Sequence, residues 1–114
     1  MPVRHPEWEV SVQDVKSRFD AKEPFVLIDV REHDEFRFCC IEGAVHFPLD
    51  ELPNRMADIL ELADGKPVIT HCHHGGRSLR AASFLREAGI ADARSMAGGI
   101  DEWACVIDPA VPRY

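Results

Sequence analysis

Residues 68–78 are Val68-Ile69-Thr70-His71-Cys72-His73-His74-Gly75-Gly76-Arg77-Ser78, a short apolar run that passes into a glycine-containing segment. The apolar run is β-prone and follows a turn, which predicts a buried strand. Apolar residues then recur at spacings of three and four over residues 81–88, which predicts a helix, and Gly89 suits its C-terminal end. A strand, a loop and a helix in this order are typical of α/β proteins.

The same alternation extends in both directions from this segment. We predict strands over residues 8–10, 25–28, 44–47, 68–70 and 94–96. Further helices are predicted to begin at Ser11, which Asp14 follows as a capping partner, near Pro53, and around residue 101. The expected core-facing side chains of the first two are Val12, Val15, Phe19, Met56, Ile59 and Leu60. The pattern favours an α/β fold with a mostly parallel sheet.

Length, charge and hydropathy narrow the class of protein. A chain of 114 residues predicts a single domain over residues 1–114. Its formal net charge of −7 disfavours nonspecific nucleic-acid binding, and no apolar run is long enough to span a membrane. Residues 1–6 lack the apolar stretch of a signal peptide, so we expect a soluble, cytoplasmic protein with neither nucleic acid nor membrane as a partner.

Cys72 is the candidate nucleophile. Ligands of open α/β sheets bind outside the carboxyl ends of strands, which is where the predicted loop places this cysteine. Gly75 and Gly76 allow backbone N–H groups to point at an anion, the following helix adds a partial positive charge, and Arg77 adds a full one. These features favour the thiolate over the thiol. The alternative is that Cys72 is a small core residue, the commoner role of a cysteine that ends a buried strand.

The histidines around Cys72 invite a different interpretation, as metal ligands. His71, His73 and His74 are chain neighbours, and consecutive residues seldom converge on one ion. No second ligand pair has a suitable spacing. We therefore expect no metal site.

The remaining cysteines give weaker signals. Four cysteines without a secretory signal predict free thiols. Cys39 and Cys40 are expected to be buried packing residues, and Cys105 to be structural or exposed. Trp103 is expected to anchor the core.

Four motifs follow one another along the chain. They are Asp29-Val30-Arg31-Glu32, Glu42-Gly43-Ala44-Val45-His46-Phe47-Pro48, Cys72-x-x-Gly75-x-Arg77 and Gly98-Gly99-Ile100-x-x-Trp103. In this combination the chain resembles the single-domain rhodanese-like sulfurtransferases. The resemblance implies a rhodanese-like α/β fold, with a central five-stranded, mostly parallel sheet flanked by helices on both faces. It covers about residues 10–103, which we take as the domain core. Pro109 and Pro112 predict an extended C-terminal tail over residues 104–114. Cys39 and Cys40 depart from the family, which usually has a Gly-His pair there.

The resemblance also implies the chemistry. Sulfane sulfur would be carried as a persulfide on Cys72, with no other cofactor. The residues of the loop and helix start that would hold it are His73, His74, Gly75, Gly76, Arg77 and Ser78. Asp29 and Arg31 would support the site, and an ion pair or hydrogen bond at the strand end is favoured over substrate binding. The sulfur donor would be thiosulfate or a persulfide, on a protein or a small molecule, and the acceptor a thiol or cyanide.

Loop length separates the two chemistries of this group of proteins. Residues 72–77 form a loop of six residues. The related phosphatases and arsenate reductases use seven, which leaves room for a tetrahedral oxyanion, so the sequence favours sulfur transfer. A protein-docking or sulfur-carrier module without turnover is the alternative.

Overall fold

The computed structural model describes residues 3–114, and Met1 and Pro2 lie outside the described range. The five strands form one sheet in the order β1-β5-β4-β2-β3, and every neighbouring pair is parallel. The elements are β1 Glu9–Val10, α1 Val12–Asp20, β2 Val26–Asp29, α2 His33–Phe38, β3 Val45–His46, α3 Leu52–Ala63, β4 Val68–His71, α4 Gly76–Glu87, β5 Arg94–Met96 and α5 Gly99–Val106. The predicted fold class is confirmed.

The two central strands place the site. All residues of β2 and β4 are buried, as expected for parallel strands covered on both faces. Their register pairs Val26 with Val68 and ends on Asp29 opposite His71. Because parallel strands end at the same edge, the segments after Asp29 and after His71 emerge side by side.

Helices cover both faces of the sheet. Alternate residues of β2 point to opposite sides, so Ile28 joins one buried cluster and Leu27 the other. The first cluster contains residues of α3 and α4, among them Ile59 and Leu85. The second contains residues of α1 and α5, among them Val15 and Trp103. The central strands β2 and β4 therefore supply apolar side chains to both clusters.

The helix boundaries confirm several local predictions. The Ser11 hydroxyl accepts a hydrogen bond from the Asp14 N–H at 3.0 Å, which caps α1 as expected. Gly89 follows α4 with φ +120°, a conformation typical of a helix end. Trp103 is buried in the second cluster and meets Phe19 edge to face.

Three expectations are wrong in detail. Leu60 is 45% exposed, because the face of α3 that enters the core carries Leu52, Ile59 and Ala63 instead. Cys40 is exposed and Cys39 is half-buried, whereas both were expected to be buried. The tail does not begin at residue 104, because α5 continues to Val106, and the segment that follows it turns near residues 109–110.

None of the helices within residues 3–114 has the length and apolar character needed to cross a bilayer.

Candidate active site

The loop over residues 72–77 lies at the carboxyl end of β4 and wraps around the sulfur of Cys72. The Sγ atom accepts hydrogen bonds from the backbone N–H groups of Gly75 at 3.1 Å and Ser78 at 3.4 Å. The Ser78 hydroxyl lies 3.4 Å from the same sulfur. Cys72 itself is only 2% exposed. The sulfur therefore occupies a cradle of N–H donors, which stabilise negative charge.

Local backbone geometry produces this cradle. Gly75 has φ +126°, a conformation that a residue with a side chain rarely adopts, and it caps α4. Helix α4 begins at Gly76, so Arg77 and Ser78 belong to its first turn. The N–H groups of a first turn lack helical partners and carry the positive end of the helix dipole.

Helix α5 holds the loop from outside. The N–H of Ile100 donates to the Cys72 carbonyl at 2.9 Å, and that of Asp101 donates to the His73 carbonyl at 3.1 Å. This approach requires glycine at position 99, since a Cβ there would lie 2.5 Å from both carbonyl oxygens. The Gly98-Gly99 pair therefore fits the loop against α5.

Arg77 does not reach the sulfur directly in this structure. Its guanidinium donates two hydrogen bonds to the two carboxylate oxygens of Glu35, at 2.7 and 2.9 Å. The bond from Arg77 holds the pKa of Glu35 down at about 2, and the same pairing raises the pKa of Arg77. The loop is thereby tied to helix α2.

Asp29 and Arg31 form a second, fully buried ion pair beneath the loop, with Arg31 Nη2 2.7 Å from Asp29 Oδ2. Burial opposes ionisation of Asp29, but the hydrogen bonds from Arg31 leave its pKa below the usual range. His71 Nε2 lies 3.6 Å from the same carboxylate, and burial lowers the pKa of this imidazole. Arg31 also donates to the Cys39 carbonyl at 2.7 Å, which fixes the segment after α2.

Tyr114 joins the two ion pairs. Its hydroxyl accepts a hydrogen bond from Arg31 Nη1 at 2.9 Å and donates one to Glu35 Oε2 at 2.8 Å. Its ring stacks on His73 with the centroids 3.9 Å apart and an interplanar angle of 5°. Burial raises the pKa of Tyr114 to about 12 and lowers that of His73.

The other predicted site residues occupy different positions around the loop. His74 is exposed, with Nδ1 3.9 Å from Asp101 Oδ2. The Ser78 hydroxyl bonds to the Gly75 carbonyl at 3.2 Å and to the Ser95 hydroxyl at 2.7 Å. No group of three His, Cys, Asp or Glu side chains within residues 3–114 is placed to hold one metal ion.

The sequence interpretation missed Glu35 and Tyr114. Glu32-x-x-Glu35 is a capping-box pattern, and both of its hydrogen bonds form at the start of α2, so this motif was a usable signal for the helix. Tyr114 lies 83 residues from Arg31 in sequence, and no local pattern indicates the contact.

The three remaining cysteines are free thiols outside the loop. Cys39 is half-buried, with its sulfur 3.7 Å from the Pro112 carbonyl oxygen, and Cys40 and Cys105 are exposed.

Comparisons with known proteins identify the family of the chain. The family model described as "Rhodanese-like domain" matches residues 11–105. The chain is 33% identical over 116 residues to "Adenylyltransferase and sulfurtransferase MOCS3" of Aedes aegypti, covering 96% of this chain and 26% of that protein. It is 32% identical to the MOCS3-2 protein of Zea mays, covering 92% of this chain and 23% of that protein. The chain thus spans about a quarter of the length of these curated relatives.

A solved structure of similar size also matches over most of its length. The human single-domain sulfurtransferase TSTD1 is 29% identical with a TM-score of 0.73, covering 86% of this chain and 96% of that one. The CoADR-RHD structure of Bacillus anthracis is 27% identical with a TM-score of 0.78, covering 91% of this chain and 18% of that one. With the family model matching most of its length, the chain belongs to the rhodanese-like domain family, among relatives that include sulfurtransferases.

Proposed function

We propose that the protein is a sulfurtransferase that carries sulfane sulfur as a persulfide on Cys72. The observation that carries this proposal is the cradle around Sγ, in which the N–H groups of Gly75 and Ser78 donate to the sulfur. A thiolate is the nucleophile in sulfur transfer, and such donors stabilise it. The sulfur is held covalently, so the reaction needs no separate cofactor.

The proposed reaction has two halves. The Cys72 thiolate attacks the outer sulfur of thiosulfate or of a persulfide, the sulfur–sulfur bond of the donor breaks, and sulfite or a thiolate leaves with the bonding electron pair. An acceptor thiolate or cyanide then attacks the outer sulfur of the Cys72 persulfide and regenerates the thiolate. Free donor and acceptor never meet, so the kinetics are expected to be ping-pong.

The small loop supports sulfur chemistry over phosphoryl or arsenate chemistry. Residues 72–77 close around a single sulfur atom, and an oxyanion has three oxygens that need a wider ring of donors.

A free thiol at Cys72 also suits a reducing compartment, and we propose a cytoplasmic location on that basis.

Mass spectrometry of the intact protein tests persulfide carriage. After incubation with a sulfur donor and removal of excess reagent, we expect a mass gain of one sulfur atom that maps to Cys72 and is lost on addition of cyanide. Cys72→Ser should abolish both the adduct and the formation of thiocyanate. Cys105→Ser is the matched control, because this exposed thiol lies outside the loop.

Two results would overturn the proposal or redirect it. Sulfur transfer that survives in Cys72→Ser would rule out Cys72 as the carrier. An adduct that forms on Cys72 but passes to neither a thiol nor cyanide would favour the alternative, a sulfur-binding module without turnover.

A further inference from the structure

We infer that Glu35 is a specificity-determining residue, which neutralises the cation of the loop and makes the site prefer a persulfide donor over the dianion thiosulfate. This inference rests on the proposed sulfur transfer at Cys72. It concerns the class of donor, which neither the family nor the cradle around the sulfur decides.

The positive charge of Arg77 is paired with the negative charge of Glu35. Both of its terminal nitrogens bond to Glu35, in the planar two-point geometry that makes arginine–carboxylate pairs strong. The two side chains are 31% and 18% exposed, so solvent only partly screens the pair. Glu35 is ionised at neutral pH because its pKa lies near 2. Arg77 is the only cation of the loop over residues 72–77 other than the histidines, and it carries a compensating anion.

Two further cations, Arg31 and Arg113, are paired as well. Arg31 is held by Asp29 within the buried ion pair. Arg113 lies 2.9 Å from Asp101, the residue whose N–H supports the His73 carbonyl. Each of these pairs contributes no net charge to the site.

The histidines of the loop do not restore the missing positive charge. Burial lowers the pKa of His73, so its imidazole is neutral at neutral pH. The His74 side chain is 62% exposed, so solvent screens its ring from the sulfur. At the sulfur itself, the groups that attract an anion are the backbone N–H donors of Gly75 and Ser78.

The two classes of donor differ in the negative charge that they bring to the groups around the Cys72 sulfur. Transfer from thiosulfate brings a dianion to a thiolate and gives the Cys72 persulfide anion and a sulfite dianion. Transfer from a protonated persulfide, R–S–SH, brings no charge and gives the protonated Cys72 persulfide and a thiolate, R–S⁻. Like charges that approach without a compensating cation repel one another, and the repulsion is strong where burial weakens screening. A site in which Arg77 is neutralised therefore penalises thiosulfate more than a persulfide.

The experiment compares the kcat/KM for thiosulfate with that for 2-hydroxyethyl persulfide, whose only ionisable group is the sulfur. Glu35→Gln keeps the size and one hydrogen-bonding oxygen of the side chain and removes its charge. We expect the thiosulfate-to-persulfide ratio to rise about fivefold in this variant. Asp34→Asn is the matched control, because it removes an acidic charge from the same helix at an exposed position. Its ratio should equal that of the unchanged protein.

A double variant tests whether Arg77 is the positive charge that Glu35 neutralises. The rise in the thiosulfate-to-persulfide ratio that Glu35→Gln causes should disappear in Glu35→Gln/Arg77→Gln, because the arginine charge is then absent. An unchanged ratio in Glu35→Gln, or an equal rise in Asp34→Asn, would overturn the inference while sulfur transfer stands. Absence of transfer from both donors in the unchanged protein would instead overturn the proposed function, and the inference with it.

Discussion

Gly99 is the residue at which the fold leaves no space for a side chain. It has φ +62°, and a Cβ would lie 2.5 Å from the carbonyl oxygens of Cys72 and His73. Both oxygens belong to backbone that α5 already holds through hydrogen bonds, so neither can move without disturbing the loop. The glycine pair at positions 98 and 99 is thus a structural requirement of the site.

We predict that Gly99→Ala lowers the free energy of unfolding by about 3 kcal/mol or more, because a clash adds to the strain of positive φ. Gly65→Ala is the matched control, since Gly65 has φ +80° but nothing within 4 Å of its would-be Cβ. It should cost about 1 kcal/mol from strain alone. Denaturant unfolding of both variants gives the two values. Equal losses of unfolding free energy in Gly99→Ala and Gly65→Ala would show that the clash with the loop does not destabilise the protein.

Glu35 is the residue whose charge state links the site to pH. Its pKa falls from 4.5 to about 2 on folding, mainly through the hydrogen bond from Arg77. A carboxylate with a depressed pKa adds stability that is complete above the unfolded value and is lost as the pH falls through the folded value. We predict that stability contributed by Glu35 declines between about pH 4.5 and pH 2.

Denaturant midpoints at pH 5, 4 and 3 check this prediction. The unchanged protein should lose more stability over this range than Glu35→Gln, which has no carboxyl group to protonate there. Parallel losses in the two proteins would mean that other carboxylates account for the whole acid dependence.

Among the elements, helix α2 and the segment after α5 flank the Cys72 loop, and the sequence did not predict this arrangement. We call these two segments the rim of the site. Helix α2 has six residues and none is buried, so it carries no apolar stripe for a periodicity argument to detect. The strands of the sheet and helices α1, α3 and α4 were predictable, because burial on both faces or on one side leaves a pattern in the sequence. The pairing of Glu35 with Arg77 joins residues 42 positions apart and has no such pattern.

Tyr114 is the contact through which the final segment meets this rim. We predict that Tyr114→Phe costs about 1 kcal/mol of stability, because the hydroxyl bonds to Arg31 and Glu35 are lost while the stacking on His73 remains. Tyr114→Ala removes the stacking as well and should cost about 1 kcal/mol more.

Hydrogen exchange of the amides over residues 73–76 separates these two contributions. Exchange should rise most in Tyr114→Ala, because the ring then no longer rests against His73. Loop exchange that is the same in the unchanged protein and in both variants would show that the segment covers the rim without restraining the loop.

At the scale of the whole molecule, one sheet serves two cores. The strand order β1-β5-β4-β2-β3 places β4 and β2 in the middle, and each faces helices on both sides. The sequence predicted buried strands, because residues 25–28 are apolar without alternation and residues 68–70 form a short β-prone run. The sequence pattern predicted five strands, and the resemblance to a family joined them in one sheet with helices on both faces, which the strand runs themselves do not specify.

Shared strands couple the stability of the two faces, and a substitution on one face should therefore be felt on the other. Ile59 is fully buried in the cluster beneath α3 and α4, whereas its neighbour Leu60 is 45% exposed. We predict that Ile59→Ala costs about 3 kcal/mol and that Leu60→Ala changes stability by less than about 0.5 kcal/mol. The pair is matched in helix and in side-chain size.

Trp103 is buried in the cluster on the opposite face of the sheet. Its fluorescence shows whether the stability lost in Ile59→Ala also lowers the stability of that cluster. In a Trp8→Phe background, its fluorescence isolates that face, and far-ultraviolet circular dichroism follows all of the helices. If the sheet unfolds as one unit, Ile59→Ala shifts both signals to the same lower denaturant midpoint. A fluorescence midpoint that stays at the parent value while the dichroism midpoint falls would mean that the two layers unfold separately. The Cys72 loop would then depend on α4 and α5 as independent supports, because α4 packs on the first cluster and α5 on the second.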